Sequence, residues 1–84
     1  MRRAARVDAT QEAIVRCLRT CGISVEVIGK PVDLLICVKG VTELVEVKTA
    51  EAWFTKEQTD FLLRWPGKVH IVRSVEEALR KIVR

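Results

Sequence analysis

Residues 31–48 read PVDLLICVKGVTELVEVK, and their reading decides the fold. Two β-rich runs, 33–39 and 42–48, are loaded with Val, Leu, Ile and Thr and meet at Lys39-Gly40-Val41. Gly40 supplies the positive φ that a tight hairpin requires. Three charged residues stand where such strands should be apolar: Asp33, Glu46 and Lys48. Side chains alternate faces along a strand, so Glu46 and Lys48 share a face, about 7 Å apart.

The face taken by Asp33 depends on the hairpin register. A two-residue loop at Gly40-Val41 sets Asp33 opposite Lys48 and diagonal to Glu46, whereas a loop at Lys39-Gly40 sets it directly opposite Glu46. Both put all three charges on one face. A three-residue loop without a compensating bulge sends Asp33 to the other side. In the two favourable registers two carboxylates and an ammonium converge within roughly 5–8 Å. Like charges that close are costly without a cation between them, and hard oxygen donors suit Mg²⁺ or Mn²⁺.

Working outward, a helix is expected over residues 9–21, with Asp8 as N-cap, Gln11 completing a capping box and Gly22 as the C′ stop. Ile14, Cys17, Leu18 and Cys21 form its apolar stripe, and Glu12 lies away from it beside Val15 and Arg19. A strand over 23–28 is broken by Gly29-Lys30-Pro31 before the hairpin. After Lys48 comes a short loop carrying Trp53 and Phe54, for which core packing is favoured over stacking on DNA bases or a dimer contact. Thr55 and Gln58 form a capping box opening a helix over 56–65, with Phe61, Leu62 and Trp65 inward. Residues 68–73 are a fourth strand with Val69, Ile71 and Val72 buried. Its His70, the one histidine, is expected to be structural or exposed, with a base or phosphate contact as the other reading. Ser74 and Glu77 open a last helix to Val83, burying Val75, Ala78, Leu79 and Ile82. The order αβββαβα implies one α/β domain over 1–84 with a mixed central sheet flanked by helices. The crossover through the second helix favours a fourth strand parallel to the first or third.

Composition narrows the class. With 84 residues, 49% hydrophobic and 31% charged, the chain reads as one folded domain and not as a disordered segment. No apolar run reaches membrane-spanning length, and no hydrophobic stretch follows the basic start, so a cytoplasmic protein is expected. Cys17, Cys21 and Cys37 lack metal-binding spacing and are expected to be small buried thiols. A net charge of +4 and pI near 9.3 permit nucleic-acid binding. Residues 1–7 read as a basic arm in which Arg2, Arg3 and Arg6 either touch phosphates or aid solubility.

P-x-D followed thirteen residues later by E-x-K resembles the signature of the PD-(D/E)XK nuclease superfamily. The surrounding words Asp8-Ala-Thr-Gln11, Gly29-Lys-Pro-Val-Asp33, Leu44-Val-Glu46-Val-Lys48, Thr55-Lys-Glu-Gln58 and Val72-Arg-Ser-Val-Glu-Glu-Ala-Leu79 resemble its small phage-type VRR-NUC and Holliday-junction-resolvase-like branch. The likeness spans residues 6–82 and implies a restriction-endonuclease-like core.

The resemblance implies a Mg²⁺- or Mn²⁺-dependent endodeoxyribonuclease acting in a host cytoplasm. Asp33, Glu46 and the backbone carbonyl of Val47 would hold metal, and Lys48 would orient water or stabilise developing charge. Gln58 would lie near the site. An acidic residue on the first helix assists the metal in the superfamily, which makes Glu12 the candidate by type, although the nearest relatives carry the motif at the position of Gln11. DNA, including branched DNA, is the implied substrate, and a homodimer the implied assembly, with Trp53, Phe54 and Trp65 the aromatics to inspect. Two other classes stay open: a DNA-binding module on a nuclease fold without significant cleavage, and a protein-interaction subunit. The plain alternative for the triad is a cross-strand salt bridge, which would leave one carboxylate unpaired.

Overall fold

The computed structural model describes residues 3–49 and 52–84, with side chains from residue 9 onward. The elements are α1 (Arg3–Thr20), β1 (Ser24–Val27), β2 (Leu34–Val38), β3 (Val41–Val47), α2 (Lys56–Arg64), β4 (Val69–Val72) and α3 (Val75–Ile82). The αβββαβα order and mixed sheet are those expected. One four-stranded sheet runs β1-β2-β3-β4, antiparallel across its first two pairings and parallel between β3 and β4.

The hairpin register is decided by a two-residue loop at Lys39-Gly40. Val38 pairs with Val41 and Leu34 with Val45. Both loop residues have positive φ, 51° and 81°, the backbone of a type I′ turn whose twist matches the flanking strands. Gly40 adopts it without strain, and Lys39 is the one described non-glycine residue with positive φ.

The core lies on one face of the sheet. Ile14, Val15 and Leu18 of α1 and Ala78 and Ile82 of α3 cover Val25, Leu34, Ile36, Val45, Val47 and Val72. The period of two then turns Asp33, Glu46 and Lys48 to the opposite face, where α2 lies with Phe61 buried. That second face is sparsely covered, and its Leu35, Leu44, Val69 and Ile71 are only half-buried.

Several expectations are corrected. The first helix extends back to Arg3, so Asp8 is an internal helical residue and not an N-cap. Ala-rich, Arg-containing sequence favours helix strongly enough to carry the turn past it. Part of the expected basic arm is therefore helical, with residues 1–2 and the side chains of 3–8 outside the described set. The stripe of α1 shifts by one position: Val15 is buried, Cys17 half-buried and Cys21 exposed. Cys21 is exposed because the helix ends before it, in the expected glycine stop. Gly22 N–H donates to the Arg19 carbonyl (2.9 Å) and Ile23 N–H to that of Leu18 (3.1 Å), with Leu18 and Ile23 both buried. Those two bonds and their apolar contact make a Schellman motif. Cys37 is half-buried, so the thiols are not uniformly buried.

In β4 the burial of Val72 is as expected, but that of Val69 and Ile71 is not. His70 and Val72 face the core, and Val69 and Ile71 the thinly covered side. Trp65 and Trp53 are not core residues: Trp65 is 45% and Trp53 88% exposed, while Phe54 is half-buried. Trp65 ends α2 and stacks on Phe61 at 5.3 Å between ring centroids. Leu79 is also more exposed than its place on the stripe implied.

Candidate functional site

Asp33 stands at the mouth of β2, fixed by the loop before it. Ile28 and Gly29 both donate backbone N–H groups to its carbonyl, at 2.9 and 3.2 Å. Gly29 can close this loop because it adopts φ of 81°. Continuing the Leu34–Val45 register by one step sets Asp33 against Glu46. The Asp33 Oδ2 accepts the Val47 N–H at 2.8 Å, which ties the carboxylate to the facing strand.

Glu46 is 3% exposed and Lys48 8%, so both charges have left water. Gln58, arriving from the first turn of α2, joins them. Its Nε2 donates to Glu46 Oε2 (2.8 Å), and its Oε1 accepts from Lys48 Nζ (2.7 Å). Lys48 Nζ also lies 3.5 Å from Glu46 Oε2, donates to the Trp53 carbonyl (3.3 Å) and sits 5.1 Å from the centroid of the Phe54 ring. The capping box forms as expected. Gln58 N–H donates to Thr55 Oγ1 (3.1 Å), and Thr55 N–H to Gln58 Oε1 (3.0 Å). One glutamine thus caps α2 and bridges the buried acid to the buried lysine.

This network leaves one atom over. Glu46 Oε1 is the buried side-chain polar atom without a hydrogen-bond partner among the described residues. Burial, and after it the Asp33 charge, push the Glu46 carboxyl up to about 7 against the opposing pull of Lys48. The Lys48–Glu46 ion pair runs along one strand and engages only one of the two Glu46 oxygens.

The raised carboxyl has a consequence for stability. Folded Glu46 keeps its proton up to about pH 7, whereas the unfolded chain releases it near the ordinary 4.5. Between those values the folded state binds more protons, so this contribution is complete below about 4.5 and is lost as pH rises through about 7. Glu77, held low chiefly by the Arg73 backbone N–H, acts in the opposite sense below its ordinary value. Glu43 is also held low: burial opposes this, and Arg84 and His70 outweigh it. Melting temperature in chelator is expected to fall between about pH 5 and 7.5, and the slope to flatten in Glu46→Gln. A wild type level across that window would refute the buried-carboxylate assignment.

The remaining expected site residues divide. The Val47 side chain is in the core, but its N–H bonds Asp33. A strand residue directs its N–H and C=O to the same neighbour, so the Val47 carbonyl also points toward the Asp33 side. Glu12 is exposed on α1 and, with Gln11, Val15, Arg19 and Val27, lines a surface pocket that contains none of Asp33, Glu46, Lys48 and Gln58. Among the described residues no three His, Cys, Asp or Glu side chains gather as a metal cluster, so the donor set here is two carboxylates.

Sequence reading missed a second charged cluster on the core face. His70 Nε2 lies 2.7 Å from Glu43 Oε1, and Arg84 Nη2 is 2.7 Å from Glu43 Oε2. Both Glu43 and His70 are buried. The signal was present: if Val72 faces the core, so does His70 two residues before it. No described helix is long and apolar enough to cross a membrane. Against known proteins, no family model, no curated protein and no solved structure matches this chain.

Proposed function

We propose that this chain is a metal-dependent DNA nuclease that hydrolyses phosphodiester bonds, in the manner of the PD-(D/E)XK proteins its motifs resemble. The observation that carries the reading is the buried, unpartnered Glu46 Oε1 on the face shared with Asp33 and Lys48. A buried polar atom without a partner costs about 1–3 kcal/mol, and a second carboxylate nearby adds to that cost. A hard divalent cation between Glu46 and Asp33 removes both penalties, so the donor set fits Mg²⁺ or Mn²⁺. Asp33, Glu46 and the Val47 carbonyl would hold it.

When bound, such an ion supplies Lewis acidity, lowering the pKa of water and offsetting charge on the phosphate. Lys48 stabilises the negative charge that develops on the reacting phosphate oxygens, from a position already desolvated and hydrogen-bonded. Gln58 fixes the lysine and Glu46 relative to each other, so neither has to reorganise during the reaction. The half-buried Phe54 ring beside Lys48 limits water around the ammonium. Two copies, each with one such site, would let a chain this small act on two strands.

The test is cleavage of labelled four-way junction, flap, single-stranded and duplex DNA with Mg²⁺ or Mn²⁺, beside a chelator control. Metal-dependent cutting is expected. A folded protein that shifts DNA yet cuts none of these substrates would leave a binding module as the better reading.

A further inference from the structure

Beside the network runs a cleft between the 29–31 loop and one face of α2. Its walls are Gly29, Lys30 and Pro31 on the loop side and Thr55, Glu57, Gln58, Phe61 and Arg64 on the helix side. Spacing of 57, 58, 61 and 64 is that of a single helical face. Two cations therefore stand on opposite walls. Among the described residues no carboxylate pairs with Lys30 or Arg64, and the Arg64 guanidinium rests 5.3 Å from the centroid of Phe61. Glu57 is the one acidic residue of the lining. Gln58 closes the chain of contacts, since it lines the cleft and also holds Lys48 and Glu46.

Trp53 is tied to the same network by its backbone, its carbonyl accepting from Lys48 Nζ at 3.3 Å. Its indole is 88% exposed, although this side chain would cover apolar surface had the fold any use for it there. A ring so exposed, on a backbone anchored to the buried lysine, is placed to receive another flat surface.

From this juxtaposition we infer that the cleft is the track of an unpaired DNA strand, with phosphates between Lys30 and Arg64 and a base stacked on Trp53. The inference rests on the nuclease reading for its direction but names the substrate class that reading leaves open. A base inside a duplex is already stacked on both faces and offers none to a side chain, whereas an unpaired base offers its whole face. The preferred substrate is then single-stranded DNA or the unpaired part of a branched molecule.

Binding in chelator tests this without any dependence on cleavage. In a Trp65→Phe background Trp53 is the sole tryptophan, and its fluorescence is expected to be quenched by a single-stranded oligonucleotide and much less by the same sequence as blunt duplex. In the otherwise wild-type chain, Trp53→Ala is expected to weaken single-strand binding by about 5- to 100-fold, with little change for duplex. Substituting Lys30 and Arg64 by Ala should weaken binding and reduce its salt dependence. Quenching that is equal for both forms, or single-strand affinity unchanged in Trp53→Ala, would overturn the inference. A protein that binds and quenches as described yet never cuts with metal would instead sink the nuclease reading and leave this one standing.

Discussion

Asp33→Ala is expected to abolish metal-dependent cleavage, a loss of at least about 10³-fold, and Glu46→Ala to do the same. Each removes half of a two-carboxylate donor set, and the remaining single carboxylate cannot hold a hard divalent ion in place. Asp33→Ala also removes the acceptor of the Val47 N–H, a cost of about 1–3 kcal/mol if that group is left buried and unpaired. Asp33→Asn separates the two effects, because an amide oxygen can still accept that bond. It should fold as the wild type does, and the Glu46 carboxyl should fall, since the Asp33 charge is one of the causes that raise it. Thermal shift supplies a readout besides cleavage. A ligand at a hundred times its Kd stabilises by about 2.7 kcal/mol, roughly 10 °C or more for a domain this size. Mn²⁺ should give the wild type such a shift, larger at pH 8 than at pH 5.5 where Glu46 carries its proton, and should give Asp33→Asn none. An undiminished shift in Asp33→Asn would remove Asp33 from the metal site.

Lys48→Ala is expected to keep metal binding while losing about 10²- to 10³-fold in rate. Its effect on folding should have a distinctive pH dependence. Removing one partner of a buried ion pair costs about 3–5 kcal/mol when the other charge stays behind, but Glu46 can escape by holding its proton. Lys48 is among the groups that lower the Glu46 carboxyl, so its loss pushes that carboxyl further up. In chelator the variant should therefore be most destabilised above about pH 8 and least below about pH 6. Added Mn²⁺ should restore stability at the higher pH, because the ion replaces the missing ammonium as the countercharge. Rate lost together with the metal-induced shift would instead mean that Lys48 supports the ion and not the reaction. Both outcomes are read from the same two measurements, single-turnover rate and melting temperature with and without metal.

Hydrophobic periodicity, glycine and capping signals were enough to determine the element order, the hairpin, the glycine stop after α1, the capping box of α2 and the Ser74 N-cap of α3, where the Glu77 side chain takes the Arg73 N–H and so leaves the box incomplete. They also placed Asp33, Glu46 and Lys48 together in two of three possible registers. These features are local, set by a turn of a few residues or by a repeat of two or 3.6, so neighbouring residues carry them. Which register holds was settled by the positive φ of Lys39 as well as Gly40, a conformation a lysine adopts reluctantly and that no local rule would assign to it.

The tertiary structure alone decided which elements meet across the sheet. The exposure of Trp53 and Trp65 depends on where α2 lies over a face it only partly covers, and composition is silent on that. The pairing of β4 with β3 in the register His70↔Val45 brings the inward His70 to Glu43, 27 residues before it, and Glu43 in turn holds Arg84. Gln58 read equally well as a cap or as a site residue, and only the approach of α2 to β3 makes it both. That approach also buries Glu46 with one oxygen unpartnered, the observation on which the functional reading stands. Burial and the distance between remote charges are properties of packing, and packing joins residues that the sequence keeps apart.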